Sequence, residues 1–199
     1  MILYDSALSG NAYKVRLLLA YLGLPYERRS VDVVDRSNPR DDLADLNPSR
    51  RVPTLVRDDG RPLGESGAIL LHLGEGTRFI PADAYDRARM LQWMFFEQAD
   101  HMQSFAVARF LLRFSGRPEA FAERLQQLTK AGHRALRTME RHLDESTFFV
   151  GDDLSLADIA LYAYTHIADE SGLELEPYPA VRRWLERVAS VPGHVTMDA

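Results

Sequence analysis

Three short stretches of the chain carry groups suited to holding a small polar molecule: Ser9-Gly10-Asn11, Arg51-Val52-Pro53 and Glu65-Ser66. Pro53 lacks an N–H and stands directly before the apolar, β-prone Thr54-Leu55-Val56, which places it at the start of a strand or on a sheet edge. Its ring also drives Val52 out of the helical region into an extended conformation. An extended residue that its own sheet leaves unpaired offers one N–H and one C=O to another extended peptide. Ser66 reads as the N-cap of a helical run over 67–73, and helix N-termini attract anions. Together these suit a short peptide held along its backbone at Val52, with a carboxylate at Ser66. A ligand-free strand, turn, strand and helix would show the same spacing. Ser9 precedes another helical run and reads as its cap, with the amide donors of Asn11 beside it.

These groups need a scaffold. Residues 1–4 predict a short apolar strand, and 15–22 a helix ended by Gly23 and Pro25. Alternating character over 26–34 reads as a second strand, and 41–46 as a short helix stopped at Asn47-Pro48. Asp58-Asp59-Gly60, between two β-prone runs, signals a hairpin. The order β-α-β-α-β-β-α fills residues 1–75, followed by a linker over 76–84 and an all-helical domain over 85–199. In that second part Ser155-Leu156-Ala157-Asp158 has the spacing of a capping box opening a buried helix.

Composition narrows the chemistry. The chain has 199 residues, 46% hydrophobic and 27% charged, as a globular protein should. It has no cysteine, which removes disulfides, thiolate metal sites and a cysteine nucleophile. A net charge of −5, with arginines and acids interleaved, gives no electrostatic reason to bind nucleic acid. No apolar run approaches membrane-spanning length and residues 1–5 lack the pattern of a secretory leader, so a cytoplasmic protein is expected. His72, His133, His142, His166 and His194 show no metal-ligand spacing, and no metal is expected.

Four features, in order, carry a family resemblance: Leu3-Tyr4 with Ser9-Gly10-Asn11 before Val15-Arg16; Asn47-Pro48 with Val52-Pro53-Thr54-Leu55; Glu65-Ser66; and Gly151-Asp152 with Ser155-Leu156-Ala157-Asp158. On these the chain resembles the cytosolic glutathione S-transferases along its whole length, and most closely the bacterial, serine-type members. The resemblance implies a thioredoxin-like N-terminal α/β domain, an all-α C-terminal domain, a homodimer and a cis Pro53. It implies glutathione as co-substrate, with Val52 pairing to the cysteinyl backbone, Glu65 and Ser66 holding the γ-glutamyl end, and Arg51 facing the glycyl carboxylate.

The resemblance further implies that Ser9 or Asn11 donates to the glutathione thiolate, with Tyr4 a weaker candidate. The second substrate would be a small apolar electrophile, lined by the long helix that carries Trp93, His101, Phe105 and Arg109, in a detoxifying conjugation. Glu97 or Asp100 would be the acid reaching the γ-glutamyl amine across a dimer. Helical spacing of these aromatics is also what a buried face requires. Two other activities fit the same residues. One is glutathione-dependent disulfide or peroxide reduction without a protein cysteine; the other is a non-catalytic interaction module.

Overall fold

The computed structural model describes residues 1–35 and 41–199, in two compact units. Unit 1 comprises residues 1–77 together with 192–199, and unit 2 residues 78–191.

Unit 1 is built on a four-stranded sheet in the order β2-β1-β3-β4. The strands are β1 (Ile2–Asp5), β2 (Glu27–Ser30), β3 (Thr54–Val56) and β4 (Pro62–Gly64), with helices α1 (Gly10–Leu22) and α2 (Ser66–Gly74). β1 and β2 are parallel, whereas β1/β3 and β3/β4 are antiparallel. Leu3, Val15, Leu19, Leu55 and Ile69 form the core between sheet and helices. Gly23 ends α1 with φ +63°, a left-handed conformation that glycine adopts without a Cβ penalty.

β2 is shorter than its alternation predicts. All four of its residues are exposed and it lies at the sheet edge, where charged side chains guard against pairing with another chain. The helix expected over 41–46 is a single 3₁₀ turn, Asp41–Leu43.

The tail over 192–199 belongs to unit 1. The reason is α1. Arg16 is 2% exposed, pairs with the buried Asp5 at 3.2 Å, and donates to the carbonyls of Met197 and Ala199 at 2.6 and 2.8 Å. The Tyr13 hydroxyl donates to Val195 C=O at 2.7 Å. Burial lowers the pKa of the Arg16 guanidinium, with Asp5 opposing that fall.

Unit 2 is helical: α3 (Ala84–Phe96), α4 (Met102–Arg113), α5 (Ala122–Leu143), α6 (Leu156–Thr165) and α7 (Pro179–Ser190). A π turn, Glu97–His101, joins α3 to α4 where the sequence reads as one uninterrupted helix. α6 is buried along its length, and the Ser155/Asp158 capping box opens it. The Asp158 carboxylate accepts from Ser155 N–H (2.9 Å), Ser155 Oγ (2.7 Å), Phe149 N–H (3.0 Å) and Trp184 Nε1 (2.9 Å). Burial pushes this carboxyl up, and the hydrogen bonds oppose that rise.

Candidate functional site

Sheet register places the three candidate stretches at one end of unit 1. Tyr4 pairs with Thr54, and Thr54 with Gly64. The chain therefore leaves β1 toward Ser9, enters β3 from Val52-Pro53, and leaves β4 into Glu65-Ser66, all from the same edge of the antiparallel set.

Ser9 caps α1: its Oγ accepts from the Ala12 N–H at 3.2 Å. As an acceptor in that bond it keeps its own proton to donate. Asn11 is held differently. Its Oδ1 lies 2.9 Å from Lys14 Nζ, and an ammonium can only donate, so the amide oxygen is the bonded atom and the NH2 group is presented away from it. Lys14 is 1% exposed, a buried cation three residues after Asn11 and five after Ser9. Sequence reading missed Lys14; the signal was a lysine inside the apolar run of α1, three residues after Asn11.

The 47–53 segment is organised by Asn47. Its Nδ2 donates to Arg51 C=O (3.1 Å) and Thr54 Oγ1 (2.9 Å), while its Oδ1 accepts from Ser49 N–H (3.0 Å) and Ser49 Oγ (2.8 Å). One buried side chain thus fixes the carbonyl before Val52 and the first residue of β3. Gly64 is required beside it, since a Cβ there would sit 2.8 Å from Asn47 Nδ2. The Val52-Pro53 bond is cis, and neither backbone group of Val52 bonds to another described residue. Arg51 extends into solvent.

Ser66 is the first residue of α2 and not its N-cap. Glu65 takes the cap position with φ +65° and ψ 116°, makes no side-chain cap bond, and bends the chain sharply out of β4. A glutamate held at positive φ is uncommon and costs about 1–3 kcal/mol, an expense that clusters at ligand clamps. As a result Ser66, 4% exposed, contributes both its hydroxyl and a first-turn N–H at the positive end of α2.

His101, Phe105 and Arg109, expected to line the electrophile, are all packed inside unit 2. His101 and Phe105 are 0% exposed and stacked with ring centroids 4.0 Å apart. Thr165 Oγ1 donates to Leu161 C=O, so it accepts from His101 Nε2, 2.9 Å away. Arg109 is 7% exposed and bonds Glu170 at 2.7 Å. Trp93 is likewise core, 4.6 Å from the Phe149 ring. Tyr4 is 8% exposed and its hydroxyl accepts from Arg29 at 2.9 Å, a structural part.

Comparison with known proteins follows this geometry. Residues 8–75 match the model of the glutathione S-transferase N-terminal domain, and residues 105–187 that of the C-terminal domain. The chain belongs to the glutathione S-transferase family. A solved structure of a glutathione S-transferase from Pseudomonas fluorescens [Pf-5] superposes with a TM-score of 0.95 at 44% identity, covering 98% of each chain. Among curated proteins, the disulfide-bond oxidoreductase YfcG of Escherichia coli is 28% identical over 92% of this chain and 87% of its own. Maleylacetoacetate isomerase of Dictyostelium discoideum is 29% identical over 98% of this chain and 91% of its own.

Among the described residues no cluster of His, Asp and Glu is arranged to hold a metal ion, and no helix is long and apolar enough to cross a membrane.

Proposed function

We propose that this glutathione S-transferase binds glutathione at the sheet end of unit 1, stabilises its thiolate, and adds it to a small apolar electrophile. The carrying observation is the pairing of an unbonded Val52 backbone with a first-turn Ser66, both issuing from the same sheet edge. Val52 N–H and C=O receive the cysteinyl residue as an added strand would. Ser66 and the positive end of α2 take the γ-glutamyl carboxylate, Glu65 its ammonium, and Arg51 the glycyl carboxylate.

The chain supplies no thiol, so the sulfur is the ligand's. A free thiol has a pKa of about 8.5, and lowering it by two units takes about 2.7 kcal/mol in favour of the anion. The Ser9 hydroxyl, the Asn11 amide, the buried Lys14 ammonium and the N-terminus of α1 are the groups available for this. In the reaction the thiolate lone pair forms the new C–S bond, and a leaving group departs or a proton adds to the acceptor.

A second reading is reduction of a disulfide by two glutathione thiols, yielding glutathione disulfide. The relative named disulfide-bond oxidoreductase favours it, and it needs no protein cysteine. A ligand-free interaction module fits less well, because Ser9, Arg51, Val52, Glu65 and Ser66 are all retained.

The protein acts in the cytoplasm as a homodimer, without nucleic acid, membrane or metal. Phe95 and Tyr85 on α3, 69% and 72% exposed, support the dimer. Asp100 is exposed whereas Glu97 is 1% exposed, which favours Asp100 as an acid acting across it.

Isothermal titration with glutathione tests the binding: no heat at millimolar ligand would rule out both enzymatic readings. A panel of an aryl halide, an organic peroxide and a mixed disulfide then separates transferase from reductase. Light scattering tests the dimer.

A further inference from the structure

Helix α1 has no acidic residue in its first turn, so no carboxylate of its own offsets the positive charge of its N-terminal N–H groups. The charge that the sequence places there is instead a cation. Side chains of a helix lean toward its N-terminus, and Lys14, three residues after Asn11, is thereby brought back over that side chain. Its Nζ lies 2.9 Å from Asn11 Oδ1, and the residue is 1% exposed. An ammonium taken out of water and set toward the positive end of a helix is unfavourable on both counts. The same arrangement favours an anion that arrives at that end.

Among the described residues, Lys14 is the one hydrogen-bond partner of the Asn11 side chain. The consequence lies in the amide. Turned over about χ2, an asparagine exchanges its NH2 donor for its carbonyl acceptor at the same place. Beside a thiolate the donor attracts and the acceptor repels. The ammonium can only donate, so it admits only the orientation with Oδ1 toward Nζ and NH2 away from it.

We infer that Lys14 is a positioning residue for thiolate stabilisation: it fixes the Asn11 amide so that a donor, and not an acceptor, faces the sulfur of bound glutathione. The inference rests on the proposed glutathione site with Asn11 as a donor in it, and adds the residue that makes Asn11 a donor. Lys14 acts through Asn11 and not by its own contact with the sulfur.

A double-mutant cycle tests this, with the ultraviolet absorbance of the bound thiolate followed against pH. Asn11→Ala should raise the ionisation pH of bound glutathione by about one unit, the shift that a hydrogen bond to a charged group is worth. Lys14→Met should raise it by a similar amount in the parent and by little in the Asn11→Ala background, because both changes remove one and the same donor. Lys14→Arg keeps a donating cation and should stay near the parent value. A lysine that served only the fold would leave the ionisation pH unmoved. The inference is overturned if Asn11→Ala does not move the ionisation pH, if Lys14→Met does not, or if Lys14→Met moves it equally in both backgrounds, as a bare charge would. A second measurement needs neither variant nor ligand: in the free parent protein the NMR order parameter of the Asn11 side-chain amide should match that of the α1 backbone, and a freely moving amide would overturn the assignment. Glutathione that fails to bind the parent strikes the proposed function, and this inference with it; glutathione that binds while the cycle fails strikes this inference alone.

Discussion

Ser9 and Ser66 are the same residue type in unlike positions, and the difference predicts unlike phenotypes. Ser66 sits inside the first turn of α2, nearly buried, and in the proposed site its hydroxyl would serve ligand affinity. Ser66→Ala should weaken glutathione binding by roughly 1.5–3 kcal/mol, the worth of a hydrogen bond to a charged group; an unchanged dissociation constant by calorimetry would remove the contact. Ser9 lies at the start of α1, where the thiolate would be stabilised. Its loss should raise the pH at which bound glutathione ionises while leaving affinity largely intact, read from the ultraviolet absorbance of the thiolate against pH. Asn11→Ala separates the two candidate donors. If Asn11 donates, Asn11→Ala should raise that ionisation pH and Ser9→Ala should move it little; if Ser9 acts alone, the reverse is expected.

At the scale of elements, local signals were legible and tertiary ones were not. The hairpin at Asp58-Asp59-Gly60, the stop at Gly23 and the capping box at Ser155 are short-range chemistry, and each stands where its residues place it. The π turn was invisible because Glu97 to His101 contain no glycine or proline to mark a break between the flanking helices. His101 and Arg109 were read as substrate groups since polar residues in an aromatic stripe look exceptional; their partners, Thr165 and Glu170, lie more than sixty residues away in the chain. Ser66 was read one position out because nothing in Gly64-Glu65-Ser66 announces that Glu65 adopts positive φ.

Two predictions belong to the elements of unit 2. Asp158→Ala leaves the Phe149 and Ser155 N–H groups and the Trp184 indole N–H without their acceptor, and should cost at least about 3 kcal/mol in urea unfolding. His142, whose Nε2 lies 3.0 Å from Phe149 C=O, is held below its ordinary pKa of 6.5 by burial. Below pH 6.5 the unfolded chain therefore binds a proton that the folded one refuses, and stability should fall as pH drops through that window. His142→Gln should flatten this fall; equal slopes in variant and parent, measured by urea midpoints across the window, would exclude His142 as its source.

At the scale of the whole chain, the last eight residues belong to the first unit. Composition offered no warning of this: residues 192–199 are neither apolar nor periodic, and what holds them is Arg16 on α1. An arginine placed in an otherwise apolar helix must find acceptors or remain unpaired at a desolvation cost, and Asp5 alone does not saturate a five-donor guanidinium. The carbonyls of Met197 and Ala199 accept from its two terminal nitrogens, and Val195 C=O serves Tyr13 in the same way. α1 is also the helix whose N-terminus carries Ser9 and Asn11. Truncation after Val191 should therefore loosen the end of unit 1 that carries Ser9 and Asn11, without removing any residue of the proposed glutathione site. Loss of two bonds to a charged group predicts a cost of about 3 kcal/mol, partly recovered as water reaches Arg16. Hydrogen exchange should quicken across α1 and β1 while α5 and α6 keep their protection. Uniform acceleration through both units would show instead that the tail supports the fold at large, and unchanged exchange in α1 would show that Arg16 does not need it.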